Sequence, residues 1–249
     1  MIVTAAQVRA AHGDAWQAEG TLRRAFGGGV TTVRGARLMA SGIDHPQWNN
    51  ADVDDPAAVD VDAMREWYAG IGVPWGVRVP AGAAWRHGRF LFRKRLMGLA
   101  LGGGVAASPV PGVVVRRARA EDLDGVLHVD VIGFEVADAG LERKWIEPHL
   151  SGEHIDVALA ELDGEPVGTG YTLRSDGRAG AALYVGGLAV LPDARRRGVA
   201  SAVTEWLLGR GSAAGAQLAH LHPDTDEAAR IYARLGFVEV DGLDIYVDL

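Results

Sequence analysis

The stretch Leu188-Ala-Val-Leu-Pro192-Asp-Ala-Arg195-Arg196-Arg197-Gly198-Val199-Ala200-Ser201 leaves an apolar run, crosses a short loop and enters a helix. The helix is read from Val199, Ala202, Val203, Trp206 and Leu207, which fall at i, i+3, i+4, i+7 and i+8. A strand that feeds a helix through a glycine-containing turn gathers free backbone N–H groups and the positive end of the helix dipole at one spot, and that spot attracts phosphate. Gly198 and the small Ala200 let a bulky diphosphate approach the backbone, and the arginines beside it supply charge-assisted hydrogen bonds. Neither GxxxxGK followed by Ser or Thr nor GxGxxG occurs, so the anion is not read as a nucleoside triphosphate. Taken alone, three consecutive arginines read as a solvated face; the strand-loop-helix context makes the difference.

The elements around this turn give the fold class. Val113-Val114-Val115 begins a strand, and a helix follows with Leu123, Val126, Leu127 and Val131 on one face and acids at its start. A second helix is expected over residues 141–150. Strands over 155–162, 167–173 and 181–190, joined at Asp163-Gly164 and Asp176-Gly177, form an antiparallel meander. After the Val199 helix come a strand over 217–221, a helix carrying Ala228, Ile231, Tyr232 and Leu235 and ended by Gly236, and closing strands over 237–240 and 244–249. The order is β-α-α-β-β-β-α-β-α-β-β, a mixed α/β chain of the α+β class.

Gly102-Gly-Gly-Val-Ala-Ala-Ser108-Pro-Val-Pro111-Gly112 clusters glycine, serine and proline between two apolar runs and reads as a linker over residues 102–112. With 249 residues the chain is long for one domain, which agrees with units over 1–101 and 113–249. The first is expected to hold a helix over 4–26, strands within 30–40 and near 48–53, a helix with stripe Met64, Trp67, Tyr68 and Ile71, and strands at 77–79 and 89–101.

No cysteine is present, which excludes disulfide scaffolds, thiol nucleophiles and cysteine metal sites and fits a reducing cytoplasm. The start of the chain has neither the basic residues nor the apolar run of an export signal, and Arg93-Lys94-Arg95 with the glycine-broken run after it is too short to span a membrane. Net charge is −7, against nucleic acid as a partner. The charge is uneven: residues 1–112 carry 12 basic and 9 acidic side chains, residues 113–249 carry 13 and 23. The acidic second half suits a cationic, amine-bearing substrate and equally an ordinary solubilising surface.

Arg195-x-x-Gly198-x-Ala200 after Gly187-Leu-Ala-Val-Leu-Pro, with Ala229-Arg-Ile-Tyr232-Ala-Arg-Leu-Gly236-Phe237 about thirty residues on, resembles the GNAT superfamily of acyl-CoA dependent N-acyltransferases over residues 113–249. The first half, through Trp48-Asn-Asn, the Trp67-Tyr68 helix ending before Pro74, Val77-Arg-Val-Pro80 and Gly88-Arg-Phe90, looks like the degenerate N-terminal unit of tandem-domain GNAT proteins. The resemblance implies a mostly antiparallel, splayed central sheet flanked by helices, preceded by a smaller GNAT-like unit. It implies acetyl-CoA as cosubstrate, its pyrophosphate on the loop of Arg195, Arg196, Arg197, Gly198, Val199, Ala200 and Ser201. Leu188, Ala189 and Val190 are then the strand's share of the site, Leu188 and Val190 lending backbone groups to the pantetheine arm, and Gly186-Gly187 is a bulge that opens the slot. Tyr232 takes the position at which the family often carries the acid that protonates the departing thiolate.

The implied activity is N-acetyl transfer to a primary amine by direct attack, with no metal and no membrane. The acceptor is a small molecule or a peptide, a homodimer is compatible with the chain, and the competing reading is a non-enzymatic acyl-CoA binding regulatory module. Tyr232 also sits on an apolar stripe and reads as a core residue with its hydroxyl at the rim. His220 and His222 share one side of a strand, and a satisfied pair is the simpler reading than a metal site or base. Ala182-Leu183-Tyr184-Val185 offers no carboxylate as general base, leaving a water-relayed base such as His220, or none. Trp16, Trp48, Trp67, Trp75 and Trp85 read as core or interface residues, with an aromatic cage as the alternative.

Overall fold

A computed structural model describes residues 2–102 and 109–247. Helix α1 (Ala5–Leu22) starts at a reciprocal cap: the Gln7 N–H donates to Thr4 Oγ1 and the Thr4 N–H donates to Gln7 Oε1. Its small Ala11 and Ala15 let the helix lie close to the sheet while Val8 and Trp16 fill the space beside them. The hairpin β1 (Gly29–Val33) and β2 (Ala36–Ala40) leads to β3 (Asn50–Val53). Asp60 caps α2 (Val61–Ile71), whose Met64 and Tyr68 are buried, the Tyr68 hydroxyl donating to Met39 O at 3.0 Å. Strands β4 (Gly76–Pro80) and β5 (Arg89–Ala100) end the first half.

The second half runs β6 (Val113–Arg117), α3 (Leu123–Gly133), α4 (Ala139–Ile146), β7 (Ile155–Leu162), β8 (Glu165–Gly177), β9 (Gly180–Val190), α5 (Val199–Ala213), β10 (Leu218–Leu221), α6 (Asp226–Arg234) and β11 (Val238–Val247). The order expected from the sequence is therefore observed up to its last element. The two expected closing strands are one strand, whose register against β5 shifts between Glu239 and Asp241. The Asp241-Gly242 pair looks like a turn in the sequence but lies inside a continuous strand, because β5 pairs with both residues and β4 takes up the other edge from Leu243 on. Residues 248–249 of that expectation, and most of the linker expected over 102–112, lie outside the described residues.

All strands join one mixed sheet in the order β1-β2-β3-β4-β11-β5-β10-β9-β8-β7-β6. Neighbours are antiparallel except β3 with β4 and β9 with β10. Each half thus ends its own run in a parallel pair and then meets the other half's last strand: β4 meets β11 and β10 meets β5. The sheet is continuous across the division expected from the sequence at residues 102–112.

Helices cover both faces. On one, α1, α3 and α4 bury Trp16, Val126 and Trp145 with Tyr171 and Tyr184 of the sheet. On the other, α5 and α6 pack over Leu183 and Val185. Alternation along β9 sends Tyr184 to one face and its two neighbours to the other. Among the described residues no helix is long and apolar enough to cross a membrane.

Candidate active site

Strands β9 and β10 pair in parallel only through Ala182, Leu183 and Tyr184, and beyond Tyr184 they part. On its other edge β9 carries a bulge: Thr169 pairs with Ala189 and Tyr171 with Gly186, leaving Gly187 and Leu188 opposite Gly170 alone. Gly187 has φ +59°, and a Cβ there would come within 2.9 Å of the Tyr171 ring, so the bulge requires glycine. The Leu191 N–H donates to Val167 O, which fixes the alternation. Ala189 turns its backbone to β8, and Leu188 and Val190 turn theirs to the gap. The bulge expected at Gly186-Gly187 falls one residue on, at Gly187-Leu188, while Ala189 packs its methyl against Gly133 of α3.

The loop from β9 to α5 is held by one of its arginines. Arg195 Nε donates to Val190 O at 3.1 Å and its Nη2 to Gly133 O at 3.2 Å, tying the loop to the end of α3. All three arginines are exposed; Arg195 braces the loop, and Arg196 and Arg197 stand at the turn. Arg196 (φ +61°) and Gly198 (φ +86°) are both left-handed and swing the backbone into α5. No side chain caps this helix, and its first internal bond at this end is Ala202 N–H to Gly198 O. The N–H groups of Val199, Ala200 and Ser201 therefore converge uncapped at the positive end of a fifteen-residue helix.

On the face of α1, α3 and α4, a cavity of about 220 Å³ reaches Gly187 at the bulge. Trp48 stacks on Trp145 at 5.0 Å between ring centres and Trp16 lies 5.8 Å from Trp145, so tryptophans of both halves form one wall. Trp67 and Trp75, by contrast, pack in the core around α2. Asp130 and Glu142 line the cavity together. Burial, and Glu142 beside it, push Asp130 up to about 9, and burial raises Glu142 as well, so the pair holds a proton at neutral pH. Behind them, burial alone would raise Glu19, but His149 at 2.9 Å and Arg23 at 2.5 Å outweigh it and hold its carboxyl at about 2.

Tyr184, His222 and Lys94 also line the cavity: the Tyr184 hydroxyl and His222 Nε2 are hydrogen-bonded at 2.8 Å, and Lys94 Nζ lies 3.3 Å from the same nitrogen. Burial, then the charge of Arg78, lower Lys94 to about 7. Burial and Lys94 keep His222 far below the ordinary histidine range. His220 is fully buried with neither ring nitrogen partnered and does not line the cavity. Of the two histidines singled out in the sequence, His222 belongs to the site and His220 to the core.

Tyr232 packs on the opposite face among Leu183, Val185 and Phe237, its ring 5.9 Å from that of Phe237. Burial and the charge of Asp224 raise its hydroxyl above the usual phenol range, so it stays protonated. The cavity and Tyr232 thus sit on opposite faces of the sheet. Lys94, Asp130 and Glu142 carry no motif in the sequence.

A profile of the acetyltransferase (GNAT) domain matches residues 153–239, from the meander through the start of β11. An acetyltransferase of Pectobacterium atrosepticum is 33% identical over 138 residues, which cover 51% of this chain and 89% of that protein. The chain belongs to the GNAT acetyltransferases. Among solved structures, a GCN5-related N-acetyltransferase from Kribbella flavida superposes with a TM-score of 0.70 at 23% identity, over 96% of this chain and 95% of that one. A tandem GNAT protein from the clavulanic acid biosynthesis pathway superposes at 0.57 and 17% identity, over 87% and 78%. At these identities the likeness is one of fold, and it extends the GNAT architecture across both halves.

Proposed function

We propose that this GNAT protein transfers the acetyl group of acetyl-CoA to a primary amine by direct attack, without a covalent enzyme intermediate. The observation that carries the reading is the gap between β9 and β10, which leads from the uncapped start of α5 to the bulge at the end of the aromatic cavity. The uncapped amides of Val199, Ala200 and Ser201, with Arg196 and Arg197, fit a pyrophosphate. The main-chain groups of Leu188 and Val190 that face the gap fit the amides of a pantetheine arm lying as an added strand. Acetyl-CoA supplies an acetyl thioester at that gap.

The cavity on the other face takes the acceptor, a small molecule or the end of a peptide. Its tryptophan wall and the proton-sharing Asp130 and Glu142 suit an amine that enters as a cation. Holding amine and thioester at one opening provides much of the acceleration. Tyr232, protonated on the opposite face of the sheet, donates to the departing thiolate.

The arginine turn has no counterpart in the first half, which supports one coenzyme per chain. Residues 1–101 then act as a degenerate GNAT-like unit that completes the acceptor cavity through Trp16, Trp48 and β5, and residues 113–249 as the catalytic unit. Calorimetric titration with acetyl-CoA, with thiol detection over a panel of amines, tests the reading. One equivalent bound and amine-dependent release of free CoA are expected. Two equivalents, or binding without release for any amine, would overturn it.

A further inference from the structure

We propose that Lys94, carried into the site by β5 of the N-terminal half, is the group that takes the proton from the attacking amine. The proposal rests on the acetyl-transfer reading and supplies the base that β9 lacks, since Ala182, Leu183, Tyr184 and Val185 bring no carboxylate.

Strand exchange is what puts the lysine there. On β5, Gly98 pairs with His220 and Met97 with Leu221, so Leu96, Arg95 and Lys94 run past the end of β10. They run alongside the opening, and Lys94 lines the cavity together with Gly187 at the bulge. Its neighbours leave it as the proton acceptor at this end. His222 Nε2 is already engaged with the Tyr184 hydroxyl at 2.8 Å, and its Nδ1 is buried. Tyr184 carries its proton, because burial raises its hydroxyl. The groups facing Lys94 from the packed elements are Arg78 of β4, which with burial favours the neutral amine, Asp52 of β3 and Asp224 after β10, which oppose it, and His12 of α1 and His222, both held neutral by burial. The balance leaves Lys94 about half deprotonated near pH 7. The chain has 25 basic residues, of which 23 are arginine, and a guanidinium in this place would keep its proton.

In the step assigned to it, the bond formed joins the acceptor nitrogen to the acetyl carbon and the bond broken joins that carbon to sulfur. The ammonium that enters first gives one proton to solvent and attacks as the neutral amine; the second proton, lost by the nitrogen as the amide forms, passes to Lys94 Nζ, and the sulfur takes its proton from Tyr232. Lys94 and Tyr232 then return to their starting states by passing one proton to solvent and taking one back. His222 and Tyr184 are positioning residues that hold Nζ at the opening.

Lys94 and Lys144 are the only lysines in the sequence, so protein labelled with ¹³C at the lysine ε-carbon gives two signals, and Lys144→Arg assigns them. The Lys94 signal is expected to titrate with a midpoint near 7; a midpoint above 9 overturns the proposal whatever the activity. Kinetics supply the second readout, with acetyl-CoA and tyramine, spermidine and an alanyl peptide as probe amines. Lys94→Met removes a buried charge at similar length and should fold. Both it and Lys94→Arg are expected to lower kcat by roughly 10²-fold, to bind acetyl-CoA within about twofold of wild type, and to lose the rise in rate near pH 7. Turnover and pH profile retained in Lys94→Met overturn the proposal alone, as does loss of the pH limb in Asp130→Asn and not in Lys94→Met. A wild-type protein that binds acetyl-CoA and acetylates none of the probes counts against the acetyl-transfer reading and overturns this step with it.

Discussion

Gly198 stands at φ +86° with the side chain of Val110 3.2 Å from where its Cβ would be, so any replacement meets strain before it meets a ligand. Asparagine tolerates this region better than most residues and brings no charge, whereas aspartate adds a negative charge at the spot proposed for a diphosphate. Gly198→Asn is expected to weaken acetyl-CoA binding modestly and Gly198→Asp at least tenfold more; equal affinities in calorimetry would remove the anion site. Tyr232→Phe keeps the ring among Leu183, Val185 and Phe237 and removes only the donor. Acetyl-CoA affinity should hold while kcat falls by roughly 10²-fold; unchanged kcat would make Tyr232 a packing residue. The strand-loop-helix turn was legible in the sequence because its parts are contiguous: Pro192, three arginines, Gly198 and the Val199 stripe follow one another. The role of Arg195 was not, because its partners Val190 and Gly133 are fixed by where α3 ends against β9. Lys94 was less legible still, since its neighbour His222 lies 128 positions along the chain.

At the scale of elements, period and turn chemistry reveal a strand but not its partner. The meander β7-β8-β9 could be read because each turn joins neighbours, Asp163-Gly164 and the reversal after Gly177. The exchange of β5 and β11 could not, because nothing local to residues 89–100 or 238–247 says that each completes the other half's sheet. The exchange has a mechanical consequence. A protease site placed within residues 103–108 and cut in the folded protein leaves β4 with β11, β11 with β5, and β5 with β10, all ladders between the two fragments. Arg93 with Asp244 and Arg95 with Glu239 add ion pairs across the same seam. The cut protein is expected to elute as one species with acetyl-CoA binding intact and to come apart only in denaturant. Fragments that separate in native buffer would show that the halves hold together through the linker alone.

For the whole molecule, the buried titratable groups set how stability depends on pH, and they act in opposite senses. Burial lowers His12 to about 4 and His220 to about 3, and His222 well below 6.5, so the unfolded chain binds up to three more protons than the folded one as pH falls through 6.5. Stability from these groups is present above pH 6.5 and is lost below it. Asp130, raised to about 9, and Glu142 act the other way, their stability present at low pH and lost as pH rises. Above pH 7 Lys94, lowered from 10.5 to about 7, restores a rising contribution that offsets them. Below pH 6.5 the three histidines outnumber the two raised carboxyls, so stability is expected to fall as pH falls, and above pH 7 Lys94 and Asp130 act against each other. Lys94→Met removes the rising contribution, so its Tm should fall more steeply than that of wild type between pH 7 and 9. The acid limb tests the histidines directly. His220 contributes an imidazole with two unpartnered nitrogens among Tyr184, His12 and the β10 ladder, so His220→Leu removes both a buried polar group and a site that the unfolded chain protonates. The gain in Tm is expected to be larger at pH 5 than at pH 7.5, because only the pH 5 value includes the lost proton linkage. An acid limb parallel to wild type would mean that His220 is not held neutral in the folded protein.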